Sequence, residues 1–286
     1  MNKIKSIVRI IVMKLLWYLP PKIAHKILYK QVVNEELNID NPKTLNEKTQ
    51  YMIINGMIGK KESECTDKLL MRKYVEKIGY ANNLPILYNS YKDANQIDIS
   101  KLPEKFVLKT NHGSGDILIC KNKKDFTKIP FKDILNKNLK KNFAKSLLEY
   151  HYKYIKPLII CEEYLDDGTG KVPIDYKIWC FDGKAKYIMV CVDREKDVKK
   201  VYYDLEWNYL EDFSNYKYKK MDKPDNLKQM IEMAEKLSKE FKVVRVDLYN
   251  IKGKIYVGEL TFTSDAGMCT YLTKKGQIAL GSEINL

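Results

Sequence analysis

The chain has 286 residues, enough to bury a large core as one domain of two or three lobes or as two small domains. A hydrophobic content of 45% and 21 tyrosines exclude a disordered chain, and Lys+Arg of 51 against Asp+Glu of 37 leaves a net charge of +14. That charge calls for an anionic partner such as a nucleotide, an acidic glycan, a lipid surface or nucleic acid, and does not choose among them.

Six cysteines at 65, 120, 161, 180, 191 and 269 include no C-x-x-C pair, and His25, His112 and His151 have no metal-binding spacing, so no zinc site is legible. Cys120, Cys161, Cys180 and Cys191 lie in apolar strand-like runs, where a reduced thiol is a small hydrophobe. The expected compartment is a reducing cytoplasm.

Residues 1–34 carry seven cations, from Lys3 to Lys30, and no acidic residue before Glu35, with Ile4, Ile7, Val8, Ile11, Leu15 and Leu16 at helical spacing. Lys14 splits the apolar run, which is too short to span a bilayer, and no small-residue cleavage site follows it. A basic amphipathic helix is expected. It either lies on an anionic membrane face, with Trp17 and Tyr18 at headgroup depth, or packs as an ordinary N-terminal helix; the missing acidic residues favour peripheral attachment at the inner face of the membrane.

Further along, Asn41-Pro42 breaks the chain and Thr44-Leu45-Asn46-Glu47 fits a capping box opening a helix through Met52 and Ile54. Asp67 to Val75 reads as a second helix, stopped at Gly79. Lys68 and Arg72 share one of its faces and, taken alone, read as solvated surface. Leu84 to Tyr88 reads as a strand. Phe106 to Leu108 is a buried strand that ends on Lys109 and enters a turn with Gly113 and Gly115. Backbone N–H groups of such a turn, beside a lysine, can cradle a polyphosphate, although alone a ligand-free hairpin fits as well. Ile117 to Cys120 is the return strand, and Phe131 to Tyr154 reads as basic and largely helical.

Leu158 to Leu165 is a strand running into Glu162 and Glu163, and the turn 166–171 lacks phosphate-loop spacing because Val172 follows Lys171. In Asp175 to Phe181, Asp175 and Lys177 alternate with Tyr176, Ile178 and Cys180, and Asp182-Gly183 turns the chain into Tyr187 to Val192. Residues 225–240 form a helix. The last hairpin pairs Val243 to Tyr249 with Ile255 to Thr261, placing Arg245 and Asp247 on one face, with Glu259 and Thr261 sharing parity on the partner strand. Two carboxylates beside an arginine suit Mg2+, which keeps waters and substrate phosphates as its other ligands. A surface ladder of Arg245 with carboxylates is the bland alternative; the apolar strands and Gly258 beside Glu259 favour the metal.

In order, N-P-x-T-L-N-E-K at 41–48, D-K-x-x-x-R-x-Y-V at 67–75, L-P-x-K-F-V-L-K-x-N-H-G-S-G at 102–115, E-E-Y-L at 162–165, D-Y-K-x-x-C-F-D-G-K at 175–184, R-V-D-x-Y at 245–249 and G-E-L-T-F at 258–262 resemble the TupA-like branch of the ATP-grasp superfamily, found among teichuronopeptide and polysaccharide biosynthesis proteins. The resemblance covers roughly residues 40–286. It implies an α+β ATP-grasp fold in which a nucleotide is held between two subdomains with antiparallel sheets. The expected divisions are a basic segment at 1–34, a helical lid portion at 35–105, a glycine-loop subdomain at 106–160, and a C-terminal core with the metal-binding hairpin at 161–286.

The resemblance also implies roles. Lys68 and Lys109 match the lysines that hold the nucleotide phosphates, and His112, Gly113, Ser114 and Gly115 match the loop that closes over them. Glu162, Glu163, Tyr164 and Leu165 match the hinge against which adenine lies, and Asp175 and Lys177 face the triphosphate or the sugar. Arg245, with Lys177 and Lys109, is the expected catalytic set; Asp247 and Glu259 match the magnesium ligands. The family commonly has an asparagine where Thr261 stands, which puts the contribution of Thr261 and a second metal in question.

Such enzymes pass the γ-phosphoryl group of ATP to a carboxylate, and an amine then attacks the acyl phosphate. The implied function is an ATP- and Mg2+-dependent carboxylate–amine ligase acting on a uronic acid or other acidic group of a surface polysaccharide or its lipid-linked precursor. Its partners would be that acidic glycan, an amino acid or amine co-substrate and an inner-leaflet membrane surface, with no nucleic acid. A glycosyltransferase ranks second, since no D-x-D motif is present. A glycan kinase on the same site and a non-catalytic nucleotide-binding scaffold are the remaining readings, the last drawn from Thr261 and from Asp116 beside the glycine turn.

Overall fold

The computed structural model describes residues 15–113, 115, 117–169, 172–193 and 197–286. Of the segment expected to be helical over residues 1–34, residues 1–14 lie outside the described residues, as do Ser114 and Asp116 of the glycine turn; the described part is helical over Pro21–Val33.

Among the described residues, four full α-helices precede the first strand: α1 (Pro21–Val33), α2 (Leu45–Ile54), α3 (Lys60–Thr66) and α4 (Leu70–Lys77). The capping box opens α2 as its sequence requires: the Glu47 backbone N–H donates to the Thr44 hydroxyl, and the Thr44 N–H donates to the Glu47 carboxylate at 2.9 Å. The helix expected over 67–75 begins later, at Leu70, because Asp67 accepts the backbone N–H groups of Leu69 and Leu70 and turns the chain between α3 and α4. In α1, Ala24, Leu28 and Tyr29 are buried against Leu37, Ile39, Leu148 and Met268, while Ile23 of the helix and Leu15, Tyr18 and Leu19 before it stay exposed.

The first sheet contains β1 (Leu87–Tyr91), β2 (Phe106–Thr110), β3 (Ile117–Cys120) and β4 (Ile159–Glu163) in the order β1-β4-β2-β3, all antiparallel. The strand expected at Leu84 to Tyr88 thus lies three residues later; Leu84 and Pro85 precede it. Phe106, Leu108, Ile159 and Cys161 turn one face of this sheet into a core with Phe126, Phe131 and Leu135; the last two belong to α5 (Phe131–Leu139). Alternation sends Val107, Lys109 and Glu162 to the opposite face. This sheet draws strands from both sides of the division expected at 105/106 and carries β4 across the one expected at 160/161.

The second sheet contains β5 (Asp175–Phe181), β6 (Lys184–Val192), β7 (Lys199–Tyr203), β8 (Val243–Ile251) and β9 (Lys254–Thr261) in the order β7-β6-β5-β8-β9, again antiparallel. On one face, α6 (Leu227–Ser238) covers Ile178, Val244, Val246 and Leu248 with Met230, Ala234 and Leu237. The other face carries Asp175, Lys177, Arg245 and Asp247. The last helix, α7 (Lys274–Ser282), packs against α2 so closely that a Cβ on Gly281 would stand 2.3 Å from the Lys43 carbonyl oxygen. All six cysteines are buried and none is paired. Among the described residues no helix is long and apolar enough to cross a membrane.

Candidate active site

A cavity of about 830 Å³ lies between the charged faces of the two sheets, at the upper end of the range of small-molecule sites. Its walls come from α4, the glycine turn, β4, β5, β8 and β9, so the two halves of the chain meet there.

Lys68 connects them. Its backbone N–H donates to Asn111, and its ammonium lies 2.7 Å from the Gly113 carbonyl oxygen and 3.3 Å from Glu259 on the far sheet. Arg72, one helical turn on, donates to Glu162 at 3.1 Å and to the Pro85 carbonyl at 2.7 Å. Far from being solvated surface, both side chains are nearly buried, at 12% and 11% exposed. Lys109 lies 2.5 Å from the other oxygen of Glu162. Burial opposes its charge, but the attraction of Glu162 outweighs that and raises its pKa above the usual lysine range.

The acidic hairpin is built as its alternation predicts. Asp247 pairs with Glu259 and Arg245 with Thr261 across β8 and β9. The register slips between Asp247 and Leu248, leaving Gly258 as the extra residue of a bulge, where a Cβ would come within 2.9 Å of the Tyr249 ring. Arg245 grips Asp247 with two bonds, of 2.7 and 2.8 Å, and reaches Ser264 at 2.5 Å and Thr261 at 3.2 Å. Lys177 lies 2.7 Å from Asp175 and makes a short contact with Asp247. Burial pushes the Asp247 carboxyl up to about 6, against the pull of Arg245 and then Lys177. Burial would raise Glu259 too, but Lys68, Lys177 and Arg245 hold it well below the usual carboxylate range.

These carboxylates suit a magnesium ion that arrives with phosphates. Among the described residues no three His, Cys, Asp or Glu side chains converge to hold a metal, so a cage built wholly from protein is not present. Two facing carboxylates are the usual protein share of a nucleotide-bound Mg2+. Thr261 would be a neutral neighbour: its hydroxyl already accepts from Arg245 and lies 3.4 Å from Glu259.

The remaining expected residues divide. Gly113, Gly115, Glu163, Tyr164, Leu165 and Asp175 line the cavity. His112 does not; it is buried behind the turn, where its ring Nε2 donates to the Lys141 carbonyl at 3.2 Å and packs on Phe143. Glu162 faces the cavity with both oxygens engaged by cations. Asn111 fixes the turn, since its side chain bonds the backbone of both Lys156 and Leu158. Residues not singled out from sequence also reach the wall: Glu149, Tyr152, Lys200 and Asp265. Glu149 accepts from the Thr263 hydroxyl, and burial pushes its carboxyl up to about 8.

With this geometry in place, a family profile described as TupA-like ATPgrasp matches residues 47–285. The chain belongs to the TupA-like ATP-grasp family. Its helices and two antiparallel sheets form the ATP-grasp fold, which binds ATP. Similar solved structures include the D-alanine–D-alanine ligase of Bacillus anthracis complexed with ATP (18% identity, TM-score 0.40, covering 69% of this chain and 53% of that one) and a second structure of the D-alanine–D-alanine ligase of Bacillus anthracis (16%, 0.45, 85% and 69%). The D-alanine–D-alanine ligase of Helicobacter pylori aligns at 20% identity and a TM-score of 0.44, over 77% of this chain and 61% of that one. The chain therefore spans about half to two thirds of the length of these ligases. No curated protein matches the sequence significantly.

Proposed function

We propose that this TupA-like protein is an ATP- and Mg2+-dependent carboxylate–amine ligase that works through an acyl phosphate. Its acceptor would be a uronic acid or other acidic group of a surface polysaccharide or its lipid-linked precursor, and its co-substrate an amino acid or amine. The observation that carries the reading is the Lys68 ammonium, in contact with both the glycine turn and Glu259: a triphosphate entering there lies between basic and acidic walls.

Phosphoryl transfer asks the protein for alignment and charge neutralisation more than for covalent chemistry. Lys68 and Lys109 would move from carboxylates onto phosphate oxygens, and Arg245, fixed by Asp247 and Ser264, would face the charge that grows on the transferring group. Asp247 and Glu259 would hold magnesium, which when bound neutralises phosphate oxygens and orients them. The acceptor carboxylate oxygen bonds to the γ-phosphorus as ADP departs. The amine nitrogen then bonds to the acyl carbon, inorganic phosphate leaves, and a proton is released.

The glycan acceptor and the membrane are supported by the family resemblance, by the net charge of +14, and by Tyr18 and Ile23, which stand exposed beside Lys22. The test is incubation with ATP, Mg2+, an oligouronate and mixed amino acids, with hydroxylamine added in a parallel reaction to trap the acyl phosphate. ADP with an amide, or a hydroxamate, is the expected outcome. Phosphorylated glycan without either would identify a kinase, and UDP release from a UDP-sugar a glycosyltransferase; both would reject the ligase.

A further inference from the structure

We infer that Lys200 and Asp265 form the co-substrate subsite of this cavity and select an α-amino acid, Lys200 receiving its carboxylate and Asp265 its ammonium group. The inference rests on the ligase reading and adds to it the class of the amine.

Asp265 sits on an unusual stretch of backbone. Asp265, Ala266 and Gly267 all have left-handed φ values, of 48°, 54° and 68°, and the first two are not glycine. Such residues cost about 1–3 kcal/mol each and persist where their surroundings hold them, commonly at ligand sites. Here buried amides on α2 do the holding. The Gln50 side chain donates to the carbonyls of Ala266 (2.8 Å) and Gly267 (3.2 Å), and Asn46 bonds both the N–H and the carbonyl of Cys269. Asn46 and Gln50 are only 2% and 1% exposed, so two polar side chains are committed to the shape of this turn.

The turn leaves the Asp265 carboxylate on the cavity wall, with Lys200 opposite at 3.5 Å to each oxygen. That separation is longer than the 2.7–2.9 Å typical of a charge-assisted bond, and both side chains keep access to the cavity. The Lys200 ammonium is fixed from behind by the Tyr271 ring, 3.7 Å from its centroid. Ser264 joins this pair to the reaction centre: it accepts from Arg245 and lies 3.3 Å from Asp265. A zwitterion replaces the pair charge for charge, so neither Lys200 nor Asp265 is left uncompensated in the partly desolvated wall. An amine without a carboxylate, or an acid without an amine, would leave one of them so.

The experiment titrates each of the twenty L-amino acids into the full chain saturated with Mg2+ and a non-hydrolysable ATP analogue, followed, for any that binds, by its decarboxylated amine and its deaminated acid. The wild type is expected to bind at least one amino acid about ten- to a hundredfold more tightly than either analogue, the value of one or two charge-assisted bonds. Lys200→Met, which keeps the stem over Tyr271, should erase the preference over the amine. Asp265→Asn, whose side chain tolerates left-handed backbone, should erase the preference over the acid. Nucleotide affinity should be the same in all three proteins. Absence of amino-acid binding in a wild type that binds the nucleotide, or equal weakening of parent and analogues in the variants, would overturn the inference alone. Failure of the wild type to bind the nucleotide would remove the ligase reading and this inference with it.

Discussion

Asp247 and Glu259 face each other as partners across the β8–β9 hairpin, and the cations around them are shared unequally: Arg245 and Lys177 grip Asp247, whereas Glu259 has Lys68 at 3.3 Å, from the turn before α4, and Arg245 only at 3.8 Å. The pair is thus split between a rigid half and an adjustable one.

Replacing each member should separate stability from activity. Asp247→Asn leaves Arg245 and Lys177 buried with less compensation and should lower stability by about 3–5 kcal/mol. Glu259 is one-third exposed, so Glu259→Gln should lower it by no more than about 1 kcal/mol. Both should reduce Mg2+-dependent ATP turnover by about a hundredfold or more, as loss of a transition-state partner does. Denaturant titration beside ADP release checks both halves; turnover that survives in either variant would contradict the metal assignment.

Gly258 sets the direction of Glu259. A methyl group there would stand 2.9 Å from the Tyr249 ring and 3.2 Å from the Asp247 carbonyl oxygen, so the bulge must shift. Gly258→Ala should weaken Mg2+-ATP binding by about tenfold while destabilising the fold by about 1–3 kcal/mol, the range for overpacking. Calorimetry on the folded variant reads the first effect, and wild-type affinity would show that the bulge does not aim Glu259.

Two neighbouring buried groups should shape the pH dependence of stability in opposite directions. Burial raises Glu149 to about 8, above its ordinary 4.5, so the stability it contributes is complete below pH 4.5 and is lost as pH rises to 8. Burial lowers His151 to about 4 from 6.5; its contribution is complete above pH 6.5 and is lost as pH falls to 4. Glu149→Gln should therefore flatten the fall in stability between pH 4.5 and 8, a difference on the order of a few kcal/mol by pH 8. His151→Phe should flatten the fall between pH 6.5 and 4. Denaturant midpoints measured across these windows decide the matter, and parallel curves for wild type and variants would show that neither group titrates as its burial requires.

Much of this could be read from the chain, and the unread parts share a cause. The β8–β9 hairpin was legible because period-two alternation fixes which side chains share a face, so Arg245, Asp247 and Glu259 follow from spacing alone. The capping box at Thr44 was equally local. Lys68 and Arg72 look like solvated cations on a helix, and only the approach of Gly113, Glu259 and Glu162 from distant segments makes them part of a site. Glu149 and Tyr152 lie at a short 3-10 turn without periodicity, and Lys200 lies on a strand, β7, whose run of lysines and tyrosines gives no strong alternation. Asn46 and Gln50 read as polar helix residues; their service to the turn at 264–269 is a contact across more than two hundred residues.

The central claim is that magnesium and a triphosphate are held jointly by the first sheet and the acidic hairpin of the second. Calorimetric titration of Mg2+-ATP into the wild type, Lys109→Ala and Glu259→Gln tests it most directly, because those residues stand on opposite walls of the cavity. The account predicts binding by the wild type and affinity lower by about tenfold or more in each variant. Unchanged affinity in both would contradict it.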